Sequence, residues 1–346
     1  MSIRRIQLTP RTGAASSQLD GWRARVNFIE QLGLSEDGIK HAAELLRIGK
    51  LVAFPTETVY GLGTNALDAQ AVARIFEVKG RPKTSPVIVH VSNLEMVGRV
   101  ALSWPAKART LAERFWPGPL TLVVPKTTEV PDIVTAGLPT VGVRMPSHSV
   151  ALALIEAAQV PIAAPSANRF TQISPTTAEH VRQGLGDRVD YILDGGPCEV
   201  GIESTVLSLA REVPILLRPG GISRKQIEEL IGAIGQADHE PTGAHPSPGM
   251  HPRHYSPHTA LYLGHDGRVP RQGAGAYLQI RYPPLSAVRK VVAMPNNAAE
   301  YAARLYSVLH ALDAHGYDWI AVEAPAPEAE WEGVLDRLRR AATFEG

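Results

Sequence analysis

The sequence predicts an α/β protein, with a large mixed sheet flanked by helices followed by a second, smaller α/β unit. Three observations carry this. From residue 36 onward, short apolar runs alternate with amphipathic segments of helical spacing. Two pairs of apolar runs, LTLVVP with TVGVRMP and STVLSL with PILLRP, have no helix between them, so the first sheet is expected to be mixed. A Pro-, Gly- and His-rich stretch over residues 236–259 then separates the first α/β pattern from the second.

In chain order, GIKHAAELLRIG has helical spacing and ends on Gly49, a residue suited to a helix C-terminus. KLVAFP is a short buried strand that runs into PTETVYGLG, where threonines, a carboxylate, a tyrosine and glycines crowd the strand's mouth. A plain turn needs fewer special residues. DAQAVARIFEVKG is a helix with Asp68 as N-cap and Gly80 just past its end. PVIVHV reads as a strand, and KARTLAERFW as a helix stopped by Pro117-Gly118-Pro119. LTLVVP and TVGVRMP are strands and VALALIEAAQ a helix; PIAAPSAN opens as a strand. TTAEHVRQGLG is a helix, YILDGG, STVLSL and PILLRP are strands, and RKQIEELIGAIG is the next helix.

Proline and glycine exclude a helix or central strand over 236–259; so long a connection is a flexible linker or a functional lid. Beyond it, ALYLGH, GAYLQIRY, VRKVVAMP and DWIAVEAP read as strands, with helices in AAEYAARLYSVLHALDAHG and EWEGVLDRLRRAA. The expected division is an N-terminal extension (1–35), a first α/β domain (36–233), a linker or lid (234–259) and a C-terminal α/β domain (260–346).

Composition narrows the function classes. The 346 residues are 44% hydrophobic and 20% charged, ordinary for a chain that buries a sizeable core. A formal net charge of +1 gives no general pull toward nucleic acid or membrane, so any anion site must be local. The single cysteine, Cys198, excludes an intramolecular disulfide and fits a reducing, cytoplasmic setting. No apolar run approaches the about 20 residues that span a bilayer. The start has arginines and serines but no apolar core, so it reads as a loosely ordered extension or an organellar transit peptide, not a secretory signal.

Polar groups end several of the apolar strands. Lys79-Gly80-Arg81-Pro82-Lys83-Thr84-Ser85-Pro86 is a stiff basic loop that suits a polyphosphate; the same cations also suit a solvated helix C-terminus. Ala163-Ala164-Pro165-Ser166-Ala167-Asn168 offers small residues and hydrogen-bonding side chains, as a turn or a ligand loop. Gly201-Ile202-Glu203-Ser204-Thr205-Val206 again places polar residues at a strand's mouth. Arg144 and Arg218 sit inside apolar strands, where a guanidinium is costly unless it is paired or meets an anion. The chain has no P-loop, no G-x-G-x-x-G after a strand and no hydrolase elbow. His251, His254 and His258 have ligand-like spacing, but Pro252 and Pro257 forbid a helical arrangement and no CxxC accompanies them, which argues against zinc.

Taken in order, K-x-R-P, a strand bearing His, V-G-V-R-x-P, P-S-A-N and G-x-x-S-T-V resemble the YrdC/Sua5 family of threonylcarbamoyl-AMP synthases. The later S-P-G-M-x-x-R-H-Y-x-P stretch resembles the linker of the two-domain Sua5 branch. The resemblance implies a YrdC-like twisted mixed sheet with a concave, positive face, and a smaller Rossmann-like C-terminal domain. It implies condensation of L-threonine, bicarbonate and ATP to threonylcarbamoyl-adenylate and pyrophosphate. That product would serve N6-threonylcarbamoylation of adenosine 37 in tRNA, with tRNA met indirectly through downstream threonylcarbamoyl transferase proteins. Magnesium would be carried by the ATP phosphates, with no metal site on the protein.

Carried over by position, the resemblance assigns Thr58, His90, Arg144, Ala164 and Ser204 to L-threonine. It assigns Arg81, Ser85, Thr140, Ser166, Asn168, Ser174, Arg218 and Tyr255 to ATP, with Lys79 and Arg81 supplying catalytic charge to the phosphates. Ser85 stands where many relatives carry Asn, and M-H-P-R-H-Y departs from a linker in which an aromatic often precedes the arginine. On this reading Gly61 and Gly63 would allow close backbone approach to substrate, while Glu57 and Tyr60 would support the loop. Two other readings use the same features: a basic cavity that only grips RNA, and a carbamoyl-transfer enzyme of the hydrogenase-maturation type. The near-neutral charge opposes the first. The absence of zinc-finger and acylphosphatase-like regions opposes the second.

Overall fold

The computed structural model describes residues 35–237 and 254–345. Nearly all of the expected N-terminal extension and most of the linker, including His251, lie outside the described residues.

Helix starts follow their caps. Ser35 accepts the Gly38 N–H at the head of α1 (Glu36–Arg47), and Asp68 accepts from Gln70 and Ala71 at the head of α2 (Ala69–Lys79). Gly80 ends α2 in the left-handed region, φ 62°, and so turns the chain into the basic loop. Asn93 caps α3 (Leu94–Val100), a short helix that the apolar periodicity does not reveal. The remaining helices of this unit are α4 (Ala106–Phe115), α5 (Asp132–Thr135), α6 (Ser149–Ala158), α7 (Ala178–Leu185) and α8 (Arg224–Ile231).

The first sheet comprises β1 (Val52–Phe54), β2 (Gly61–Asn65), β3 (Val89–His90), β4 (Leu120–Pro125), β5 (Thr140–Arg144), β6 (Ile162–Ala163), β7 (Tyr191–Ile192), β8 (Thr205–Ser208), β9 (Ile215–Arg218) and β10 (Gly235–Gln236). Its order is β10-β9-β8-β4-β5-β3-β6-β2-β1-β7. The two helix-free pairs, β4–β5 and β8–β9, are antiparallel, while β4–β8, β3–β5 and β1–β7 are parallel. The sheet is therefore mixed, as expected. PVIVHV is shorter as a strand than its composition suggests, because the Val87 N–H leaves the ladder for the Val134 carbonyl at 2.8 Å.

Alternation along β1 places Val52 and Phe54 in one apolar cluster and Leu51 and Ala53 in another, so both faces of the sheet are covered. PTETVYGLG is only partly a loop: Gly61 and Gly63 lie in β2, which returns antiparallel to β1. The reading of Gly63 as a substrate approach is corrected here. A Cβ at Gly63 would stand 2.6 Å from Phe54 Cε1 and 2.8 Å from Ile162 Cγ2, so this glycine makes room for the core.

The second unit is a five-stranded sheet, β13-β12-β14-β11-β15, of β11 (Ala260–Gly264), β12 (Gly275–Gln279), β13 (Lys290–Ala293), β14 (Trp319–Glu323) and β15 (Phe344–Glu345). All its pairings are parallel, as a Rossmann-like layout requires. Helices α9 (Ala298–Asp313) and α10 (Glu332–Ala341) pack on it. Val59, Ile173 and Ile202 of the first unit join Leu305, Tyr306 and Leu338 of the second in one buried cluster, so the two units share a core.

Gly63→Ala is expected to lower stability by about 1–3 kcal/mol through overpacking against Phe54. Denaturant unfolding of the purified variant checks this.

Candidate active site

Strand register builds the floor of the site. β3 pairs with β5 so that His90 lies beside Arg144, and with β6 so that His90 faces Ile162. The chain leaving β6 passes Ala164 and bridges back through Ser166 to Gly61. On the β8–β9 side, Arg218 Nε donates to the Ser204 carbonyl at 3.1 Å and Nη2 to the Ser204 hydroxyl at 3.2 Å. Thr58, Arg81, His90, Arg144, Ala164, Ser166, Ser204, Arg218 and Tyr255 all line one cavity of about 50 Å³. Residues scattered from 58 to 255 in the chain thus converge on a single hollow.

Arg144 organises one end. It is buried against Glu57, with Nη2 to Oε1 at 2.8 Å, in an ion pair whose orientation falls short of a directed hydrogen bond. Its Nη1 donates to Thr58 Oγ1 at 2.9 Å. Thr56 Oγ1 donates its proton to the Val59 carbonyl at 2.7 Å, so across the 2.8 Å contact Thr58 is the donor and Thr56 the acceptor. The Thr58 lone pairs, and not its proton, therefore meet Arg144. Burial first, and Arg144 second, push the His90 pKa down to about 3, so the ring is neutral near pH 7.

The other end holds Arg81 and Lys79, which form no ion pair with a carboxylate among the described residues. Arg81 is buried; Nη2 donates to Ser85 Oγ at 2.5 Å and to the Pro86 carbonyl at 2.9 Å, and Nε to the Ser85 carbonyl at 3.2 Å. Its ring neighbour is Phe170, 5.7 Å below the guanidinium. Burial lowers the Arg81 pKa to about 10. Lys79 donates to the carbonyls of Ser166, at 2.6 Å, and of Asn168. Burial, then Arg81, holds its pKa well below the ordinary lysine range.

Several of the expected site residues stand behind the cavity wall. Lys79 braces the Ser166–Asn168 loop from below, and Ser85 fixes Arg81. Asn168 uses its amide to donate to the carbonyls of Arg169 and Gln172, at 2.9 and 2.7 Å. Ser174 donates to Glu203 Oε1 at 2.5 Å. Thr140 lies at the far end of β5 from Arg144 and lines a neighbouring hollow with Pro86, Thr121 and Gly142. Tyr60 donates to the Gly196 carbonyl at 2.7 Å, a structural role.

Sequence reasoning missed Thr56, Glu203 and His254, which also line the cavity. Glu203 had a signal, since it precedes Ser204 at the mouth of β8. Burial pushes its carboxyl up, but Arg337, Arg218 and the Ser174 hydroxyl outweigh that and hold it below the usual carboxylate range. The linker residues are seated by backbone bonds. The His254 N–H reaches the Arg340 carbonyl at 3.0 Å, and the Ser256 N–H reaches the Thr171 carbonyl at 2.8 Å. His258 bonds Asp313, and no group of three or more His, Cys, Asp or Glu among the described residues is arranged to hold a metal ion.

Fold and site together define a two-domain α/β protein whose cavity gathers buried guanidinium groups, hydroxyls and a neutral imidazole. Comparison with known proteins makes this specific. The Sua5/YciO/YrdC family, described as "Telomere recombination", matches residues 44–220. The family described as "Threonylcarbamoyl-AMP synthase, C-terminal domain" matches residues 222–343. The threonylcarbamoyl-AMP synthase of Pyrococcus abyssi is 41% identical over 90% of this chain and 96% of its own length. That of Bacillus subtilis is 42% identical over 92% and 96%. The crystal structure of P. abyssi Sua5 complexed with L-threonine superposes with a TM-score of 0.82 at 41% identity, covering 88% of this chain and 94% of that one. This chain belongs to the Sua5/YrdC family, in its two-domain Sua5 branch of threonylcarbamoyl-AMP synthases.

Two outcomes follow from the buried charges. Removing Glu57 alone leaves Arg144 buried without its counter-charge, so Glu57→Ala is expected to cost about 3–5 kcal/mol in chemical denaturation. The folded-state pKa of His90, about 3, lies below its ordinary 6.5, so the unfolded chain takes up the extra proton first. Its contribution is present above pH about 6.5 and fades as pH falls toward 3. His310, lowered to about 4 by burial and His180, acts with the same sign. Thermal unfolding from pH 7 to pH 4 is expected to show a falling midpoint, with a shallower slope in His90→Gln.

Proposed function

We propose that the cavity takes L-threonine at the end formed by Thr58, His90, Arg144, Ala164 and Ser204, and ATP at the side formed by Arg81, Ser166, Arg218 and Tyr255. The chain then makes L-threonylcarbamoyl-adenylate from threonine, bicarbonate and ATP. The observation that carries this is the convergence of Thr58, Arg81, Arg144, Ser166 and Ser204 on one hollow. The P. abyssi relative solved with L-threonine supports the amino-acid half.

The chemistry follows from the charges. Threonine arrives as a zwitterion, and its carboxylate pairs with Arg144, already held by Glu57. Once the ammonium loses a proton, the amine adds to bicarbonate with loss of water and forms a carbamate. A carbamate oxygen attacks the α-phosphorus, the bond to the β-phosphate oxygen breaks, and pyrophosphate leaves. No covalent enzyme nucleophile is required; positioning and fixed positive charge supply the rate. Arg81 and Arg218 face the charge that builds on the departing phosphates. Lys79, Ser85, Asn168 and Ser174 act by holding the groups that touch substrate. With a pKa near 3, His90 is a weak proton acceptor and serves as a hydrogen-bonding partner of threonine.

Magnesium enters as part of the MgATP substrate. Glu203, which lines the cavity, is taken up by Ser174, Tyr306 and Arg337, so it offers no free oxygen cage for a resident ion. A cavity of about 50 Å³ is far smaller than a nucleoside triphosphate. His254 and Tyr255 line it, and on this reading they move aside to admit ATP and return to exclude water from the labile product. The product passes to the transferase proteins that modify adenosine 37 of tRNA, so tRNA is an indirect partner. The setting is the cytoplasm. The thiol of Cys198 is buried and unbridged, and no described helix is long and apolar enough to cross a membrane.

Incubation with MgATP, bicarbonate and labelled threonine is expected to release pyrophosphate only when threonine is present; release that ignores threonine overturns the reading. Arg81→Ala is expected to lower that turnover by roughly 100-fold, the scale of one preorganised charge donor, with circular dichroism unchanged.

A further inference from the structure

Glu203 poses a problem for a site that binds a triphosphate. Its carboxylate lines the same cavity as Arg81 and Arg218, and an uncancelled negative charge there would repel the ligand. Arg218 and the Ser174 hydroxyl offset part of it from the same domain, and the rest comes from the other domain. Arg337, on α10, is buried, and its Nε donates to Glu203 Oε2 at 2.8 Å. Its Nη2 donates to the Glu203 carbonyl at 3.1 Å, and its Nη1 to the Pro219 carbonyl at 2.7 Å. One guanidinium therefore grips both loops that present Ser204 and Arg218 to the cavity. Tyr306, on α9, donates to Glu203 Oε2 at 3.0 Å.

The docking is tight at the backbone. A Cβ on Gly201 would stand 2.4 Å from the Ala302 carbonyl of α9, and one on Gly333 would stand 2.9 Å from the Gly220 carbonyl. These approaches hold α9 and α10 hard against the two loops. The same guanidinium lies 5.4 Å over the Tyr255 ring, which stacks on Tyr306 at 5.9 Å.

We infer that Arg337 of the C-terminal domain is a positioning residue for the nucleotide side of the site: it offsets the charge of Glu203 and, through the Pro219 carbonyl, holds the Arg218 loop in place for MgATP. The inference rests on the synthase reading and gives the C-terminal domain a stated task within it. On that reading threonine touches Ser204, beside Glu203, but is anchored at the Glu57–Arg144 end, and as a zwitterion it should be nearly indifferent to this charge. MgATP should not.

The test uses the full-length chain, with MgATP kinetics from pyrophosphate release and threonine affinity from calorimetry. Arg337→Met exposes the site to the Glu203 charge and is expected to raise KM for MgATP about tenfold or more, with threonine Kd within about twofold. Arg337→Lys keeps the charge and is expected to stay within about threefold of wild type on KM. The double variant Glu203→Gln/Arg337→Met removes both charges and is expected to recover most of the lost KM. Should the single methionine variant not fold, the lysine and double variants carry the comparison, and a double variant still about tenfold weaker for MgATP overturns the inference. Parallel loss of threonine and MgATP affinity, with no rescue by the double variant, marks a purely structural role and also overturns it. Wild-type protein lacking threonine-dependent pyrophosphate release would overturn the synthase reading as well; wild-type activity with an unrescued KM would overturn only the role of Arg337.

Discussion

The site is organised by the cost of taking cations out of water. Lys79, Arg81, Arg144, Arg218 and Arg337 are all buried. A buried guanidinium or ammonium is tolerated only where oxygens replace its hydration. Arg144 and Arg337 meet carboxylates, Glu57 and Glu203. Lys79 and Arg81 are held by carbonyl and hydroxyl oxygens instead, which satisfy their donors without cancelling their charge. Burial depresses the pKa values of both groups, and Arg81 lowers that of Lys79 further. Buried positive charge thus gathers on one side of a small hollow, where the proposed anionic ligand would relieve it.

That constraint explains the division of labour along the cavity wall. At the end proposed for threonine the charge is balanced, so on that reading a zwitterion would be bound by direction: Arg144 for a carboxylate, with Thr58 and the neutral His90 beside it. At the side proposed for the nucleotide, Lys79 and Arg81 form no ion pair with a carboxylate among the described residues, so on that reading a polyanion would be bound by field as well as by hydrogen bonds. That field depends on Glu203 remaining offset, and an offsetting charge arrives from α10 of the second domain. The shared apolar core around Val59, Ile202, Tyr306 and Leu338 keeps that charge in register.

Several residues singled out from the sequence make contacts in the structure that their motifs do not announce. Lys79 looked like a phosphate ligand because it precedes Arg81 in a basic loop. Its last-turn position in α2 turns its ammonium under the Ser166–Asn168 loop. Gly63 looked like a ligand approach because glycine permits one, yet the neighbour it admits is the Phe54 ring. Thr140 and Arg144 share a strand and a motif, but an extended strand of five residues puts its ends about 13 Å apart, in different hollows.

The sequence alone determined the mixed sheet, the second parallel unit, the Asp68 and Gly80 helix boundaries, and the set of polar strand ends that form the family pattern. These are local matters: periodicity, caps and motif chemistry act within a dozen residues. Only the tertiary structure decided which polar residues face the ligand and which brace those that do. It alone paired Glu57 with Arg144 and brought Arg337 to Glu203 across 134 residues of chain. Such pairings are set by strand order and domain docking, long-range packing outcomes that leave no periodic trace in the chain.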